Sequence, residues 1–77
     1  MKTAREMFEE LGYTCKEDRL CISYEIDELY HFIFHKFQKQ IGVGNFHITF
    51  NELKAIIQQC KELGWFEDEN WDLWKSV

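Results

Sequence analysis

Two short stretches fix most of what this chain can become. Thr3-Ala4-Arg5-Glu6 has the spacing of a capping box, in which the threonine hydroxyl accepts from the Glu6 amide while the glutamate reaches back to the threonine N–H. Ala4, Met7, Phe8 and Leu11 follow at i, i+3, i+4, i+7, one apolar stripe. Gly12 then supplies the left-handed stop, and Tyr13 stands where a Schellman ending turns an apolar residue back onto Phe8. The same order returns later. Thr49-Phe50-Asn51-Glu52 is a second box, with Ile48 and Leu53 spaced as a hydrophobic staple. Leu53, Ile56, Ile57, Cys60 and Leu63 form the expected buried stripe, Gly64 ends the helix, and Trp65 is expected to fold back on Cys60. A helix at each end leaves the middle to close the core.

The middle reads as strands. Residues 19–27, RLCISYEID, alternate, with Leu20, Ile22, Tyr24 and Ile26 on one face and Cys21, Ser23 and Glu25 on the other. Residues 29–37, LYHFIFHKF, carry aromatics on both faces, the pattern of a central strand. QIGVG, from Gln40, is a third strand, and Gly44-Asn45 a turn into a short fourth at Phe46–Ile48. A helical stripe through Ile26, Leu29, Tyr30, Ile33, Phe37 and Ile41 competes, but aromatic and β-branched residues dominate, which favours the sheet. The expected fold is α+β, a small antiparallel β-meander of three to four strands packed by an N-terminal and a C-terminal helix.

The 77 residues suffice for a single domain that buries only about 60% of its unfolded surface, leaving little room for a deep substrate cleft. With 45% hydrophobic and 30% charged residues the composition is globular. The net charge is −5 and the nine basic residues are scattered, which argues against direct nucleic-acid binding. No apolar run approaches the roughly 20 residues of a membrane span. The opening MKTAREMFEE enters a charged amphipathic pattern at once and is not expected to be a signal peptide. Three cysteines without framework spacing are expected to be reduced thiols in a cytosol.

Candidate chemistry is thin. His31 and His35 are four apart, right for zinc on a helix, but on a strand they lie about 13 Å apart, too far for one ion. Cys15 and Cys21 are six apart across a turn, and no Cys-x-x-Cys pair exists. Cys60 sits on the inner stripe of a helix, where a thiol is usually inert packing. Gly42-Val43-Gly44 lacks the rest of any phosphate-binding fingerprint. Neither a catalytic residue nor a metal or cofactor is expected.

Aromatic content exceeds what so small an interior takes up easily: seven Phe, three Tyr and three Trp. The tryptophans fall together in GWFEDENWDLW. Trp65 is assigned to packing. Trp71 and Trp74, three apart and accompanied by Asp68, Glu69 and Asp72, have two readings. In one, a final helical turn lies over the sheet as a lid. In the other, the tail is a docking strip with rings as anchors and carboxylates as steering charge.

The start TAREMFEELGY and the later ITFNELKAIIQQCKELGW resemble a group of small uncharacterised proteins carried by phages and prophages of low-GC Gram-positive bacteria. The similarity covers the two helices, about half the chain. It implies life in the cytoplasm of an infected or lysogenic host cell and action by binding a host protein, including components of its defence systems. It carries no functional residues with it. The expected function is therefore a non-enzymatic accessory protein that binds and modulates a host protein. Two other classes remain open: an oligomer that sequesters a nucleotide-like small ligand, and an acidic mimic of nucleic acid. Because an open meander leaves edge strands, a homodimer is expected.

Overall fold

A computed structural model describes residues 2–67. The chain runs α1 (Ala4–Glu10), β1 (Thr14–Glu17), β2 (Cys21–Glu25), β3 (His31–His35), β4 (Gln40–Val43) and α2 (Phe50–Glu62), followed by a 3-10 turn at Trp65–Glu67. The strands form one antiparallel sheet in the order β1-β2-β3-β4, so the α+β meander with a helix at either end is the architecture. None of the described helices is long and apolar enough to cross a membrane.

Both helix ends follow the capping logic. Thr3 Oγ1 accepts from Glu6 N–H at 3.2 Å, and the Thr3 N–H donates to Glu6 Oε1 at 3.1 Å. The Thr49–Glu52 box closes at 3.1 and 2.8 Å. Gly12 and Gly64 take φ of 97° and 75°, the left-handed conformation that a side chain resists. At the end of α1 the Schellman pair is complete: Tyr13 N–H donates to Phe8 O, and Gly12 N–H to Glu9 O. The Tyr13 ring meets Phe8 edge-on, at 5.6 Å between centroids. The helices lie antiparallel, because Glu62 at the end of α2 accepts the Ala4 amide at the start of α1 (2.7 Å) while Glu52 at the start of α2 reaches Tyr13 past the end of α1. A carboxylate beside the N-terminal amides of α1 also complements the helix dipole.

Phe8 is the hub of the core. It stacks on Tyr24 at 4.0 Å and contacts Phe32 and Phe34 at 5.5 and 6.2 Å. Strand register explains the set. Tyr24 is opposite Phe32, and Ile22 opposite Phe34, so those four side chains share the helix-facing side. The other side carries Cys21, Ser23, Glu25, His31, Ile33 and His35, and no described helix covers it. Trp65 packs at the rim, its ring 6.2 Å from Phe34.

Four expectations need correction. The strand placed at residues 19–27 is only Cys21–Glu25; Leu20 and Ile26 lie in the turns and are exposed. The strand placed at 29–37 is only His31–His35, and its aromatics are not on both faces: Phe32 and Phe34 point inward, while Leu29, Tyr30 and Phe37 sit in turns. No strand forms at Phe46–Ile48. The remaining strand is Thr14–Glu17, a short, mostly exposed edge whose polar sequence TCKE shows no alternation.

The fourth correction concerns the inner face of α2, which is rotated from its apolar stripe. Glu52, Ala55, Ile56, Gln59 and Cys60 are buried, while Leu53 and Ile57 are exposed. The cause is the two buried tyrosines. Tyr13 Oη donates to Glu52 Oε2 and Tyr24 Oη to Gln59 Oε1, each at 2.5 Å. A buried hydroxyl without an acceptor is costly, so the helix turns its polar acceptors inward and an apolar flank outward. Among the described residues, every buried side-chain N or O atom has a partner.

Candidate interaction surface

The turn between β2 and β3 is built by local hydrogen bonds. Ile26 N–H donates to Tyr30 O at 2.9 Å. Asp27 Oδ1 accepts from the amides of Leu29 (2.8 Å) and Tyr30 (3.1 Å), an Asx turn that leaves both side chains pointing out. The first sheet turn uses the same device at Asp18, which accepts from Leu20 and Cys21. The amides of Cys21 and Leu20 hold the Asp18 carboxyl below its usual range.

His31 clamps the turn to the connection between β4 and α2. Its Nδ1 lies 3.0 Å from Glu28 O, and since a carbonyl only accepts, Nδ1 carries the proton in this bond. The imidazole occupies the space beside Gly44, where a Cβ would come within 2.3 Å of the ring. Asn45 extends the link. Its Oδ1 accepts the His31 amide at 3.0 Å, and its Nδ2 donates to Tyr13 Oη at 2.9 Å. Tyr13 donates onward to Glu52, the residue that also caps α2. One polar chain thus joins β3, the β4–α2 connection, the end of α1 and the start of α2. Burial first, and then Glu52, pushes the Tyr13 hydroxyl up to about 12.

This framework presents apolar side chains to solvent. Leu29, Tyr30, Phe46 and His47 line a cleft of about 360 Å³. Phe46 is 92% exposed and Leu29 64%. Along α2, Phe50, Leu53 and Ile57 are also exposed, and at about 100° per residue they fall within about 60° of one another. Acidic groups flank the cleft. Glu25, Asp27 and Glu28 line a neighbouring hollow of about 300 Å³ with Ser23, His31 and Ile33. Lys16 pairs with Glu25 at 2.7 Å.

Among the described residues most of the reactive types lie apart, and one pair, Cys21 and His35, is in contact. His31 and His35 lie on the uncovered side of the sheet, one at each end of β3. Cys21 Sγ is 3.5 Å from His35 Nδ1 across β2 and β3. Cys15 is opposite Tyr24 on the helix-facing side, so the sheet separates it from Cys21. Burial pushes the thiols of Cys15 and Cys60 up, away from the reactive thiolate, and Cys60 is packed in the core. Among the described residues, no three His, Cys, Asp or Glu side chains are grouped to hold a metal ion.

Of the residues singled out in the sequence, Thr3, Glu6, Gly12, Thr49, Glu52 and Gly64 do the capping expected of them. Asp68, Glu69, Trp71, Asp72 and Trp74, the lid or docking strip, lie outside the described residues. The sequence pattern puts Leu29, Tyr30 and Phe46 in strands and so does not reveal the surface they form. The signal available was the acidic, strand-averse Asp27-Glu28 in the middle of the run. Comparison with family models, with curated proteins and with solved structures finds no match to this chain.

Proposed function

We propose that this chain is a non-enzymatic accessory protein of a phage or prophage that acts inside the host cell by binding and modulating a host protein. The observation that carries the reading is the exposure of Phe46, Phe50 and Leu29 (92, 71 and 64%) on a framework held by buried hydrogen bonds. Single exposed apolar residues are ordinary, but aromatics that line a cleft and continue along a helix flank are what interfaces enrich. The resemblance of the two helical segments to small phage proteins supports the setting. The acidic flank disfavours an anionic small ligand, which needs positive charge to bind.

The test is affinity capture from a host cell with the wild-type chain and with a Phe46→Ser/Phe50→Ser variant. Both substitutions replace exposed side chains, so the fold is expected to persist. The reading predicts a stoichiometric partner for the wild type and its loss in the variant. Equal capture by both, or capture by neither, contradicts it.

Among the described residues β1 and β4 are the edges of the sheet, which favours a second property, a homodimer formed by pairing of edge strands.

A further inference from the structure

We infer that the cleft between the β2–β3 turn and the β4–α2 connection is a preformed seat for a cationic protein segment carrying an apolar anchor. This rests on the interaction reading above and gives the partner a chemistry. The floor is mostly apolar: Leu29, Tyr30 and Phe46, with His47 as its polar member. Acidic residues lead into it: Asp27 and Glu28 directly precede Leu29 in the turn and line a second hollow with Glu25, whose charge Lys16 pairs. Among the described residues, Glu28 has no cation paired with it, and Asp27 spends one oxygen on the turn's amides. An apolar side chain entering the cleft therefore brings its flanking residues past unneutralised carboxylates, which favours lysine or arginine there and repels acidic sequences. The seat costs little to organise, because the Asx turn, the His31–Glu28 bond and the Asn45 tether already hold both of its walls.

Charge also decides against a second copy as the occupant. A symmetric contact between two copies centred on this cleft brings Asp27 and Glu28 of each copy together, in a chain of net charge −5. A basic partner segment satisfies floor and flank together.

The experiment is a titration of the ¹⁵N-labelled full chain, followed by amide chemical shifts. The probe is a short synthetic peptide with Leu and Phe flanked by Lys and Arg. One control peptide replaces Leu and Phe by Ser; another replaces the basic residues by Glu. The expected result is saturable shifts centred on residues 25–31 and 44–47 with the first peptide and no saturation with either control. Glu28→Lys and Leu29→Ser, both at exposed positions, should each weaken binding about tenfold, with amide spectra otherwise unchanged. Absence of saturable binding, shifts centred on the uncovered sheet face, or variants that bind like the wild type each overturn the assignment. So does equal binding of the Ser control, which would reduce the effect to bulk charge. Failure here is distinguishable from failure of the interaction reading. A host partner captured equally by the wild type and by the Glu28→Lys/Leu29→Ser variant removes this cleft and leaves the general function standing.

Discussion

The Tyr13–Glu52 hydrogen bond joins the end of α1 to the start of α2 across a buried site, and a double-mutant cycle measures it. Tyr13→Phe removes only the hydroxyl, since the ring keeps its contacts with Phe8 at 5.6 Å and Phe32 at 5.5 Å. What is lost is the buried hydrogen bond to the Glu52 carboxylate, worth about 1.5–3 kcal/mol, together with the acceptor for Asn45 Nδ2, a loss that the cycle cancels because it is common to Tyr13→Phe and the double variant. Glu52→Gln keeps the shape and an oxygen to cap Thr49 but gives up the charged acceptor, at a cost of about 1.5 kcal/mol. Because the two changes break the same contact, the double variant should lose only about 2 kcal/mol, a coupling of about 1.5 kcal/mol. A chain of this length has about 4–12 kcal/mol of total stability, so each loss is a substantial part of it. The assay is urea denaturation followed by far-ultraviolet circular dichroism. With a slope near 1 kcal/mol per molar, the single variants should move the midpoint by about 1.5–3 M. Effects that add to within about 0.3 kcal/mol would refute the view that this bond pins the two helices and sets the rotation of α2.

Other outcomes follow from the same geometry. Thr3→Ala and Thr49→Ala should each destabilise by about 1 kcal/mol, the latter more because its partner Glu52 also holds Tyr13; denaturation midpoints check this. The Tyr13 hydroxyl is raised from 10 to about 12 in the fold, so its contribution is intact below pH 10 and is lost as pH rises through 12; absorbance at alkaline pH should show its ionisation coinciding with unfolding. Gly44→Ala places a methyl within 2.3 Å of the His31 ring and should displace it, seen as large shifts of the His31 side-chain resonances. If edge strands pair, light scattering at high micromolar concentration should give twice the monomer mass; a monomer there removes the dimer.

What the sequence made legible was whatever local chemistry decides. Capping boxes and glycine stops act over three to six residues, and both helices end within a residue or so of their signals. The alternation around Ile22 and Tyr24 was readable for the same reason. What stayed hidden was set at long range. Nothing near Gln59 reveals that Tyr24, 35 residues earlier, needs its oxygen, so the inner face of α2 was placed on Leu53 and Ile57 instead. Thr14–Glu17 becomes a strand because β2 offers it an edge, and its own residues do not announce it. Side-chain type favours a strand at Tyr30 and the Gly44-Asn45 turn signal favours one at Phe46, although segments tied by Asp27 and Asn45 display both to solvent. The surface of interest was therefore visible as excess aromatic content before its location was.

Contact between the Phe46 region and a host protein is detectable by site-specific photocrosslinking inside the host cell, with benzoylphenylalanine at position 46 and, as a reference on the uncovered sheet face, at Lys16. Both positions are exposed, so the probe should be tolerated. The expected result is one dominant heavier adduct from position 46, suppressed by excess wild-type chain and unaffected by the Phe46→Ser/Phe50→Ser variant as competitor. Adducts from Lys16 alone, or a position-46 adduct that the wild-type chain does not suppress, would contradict it.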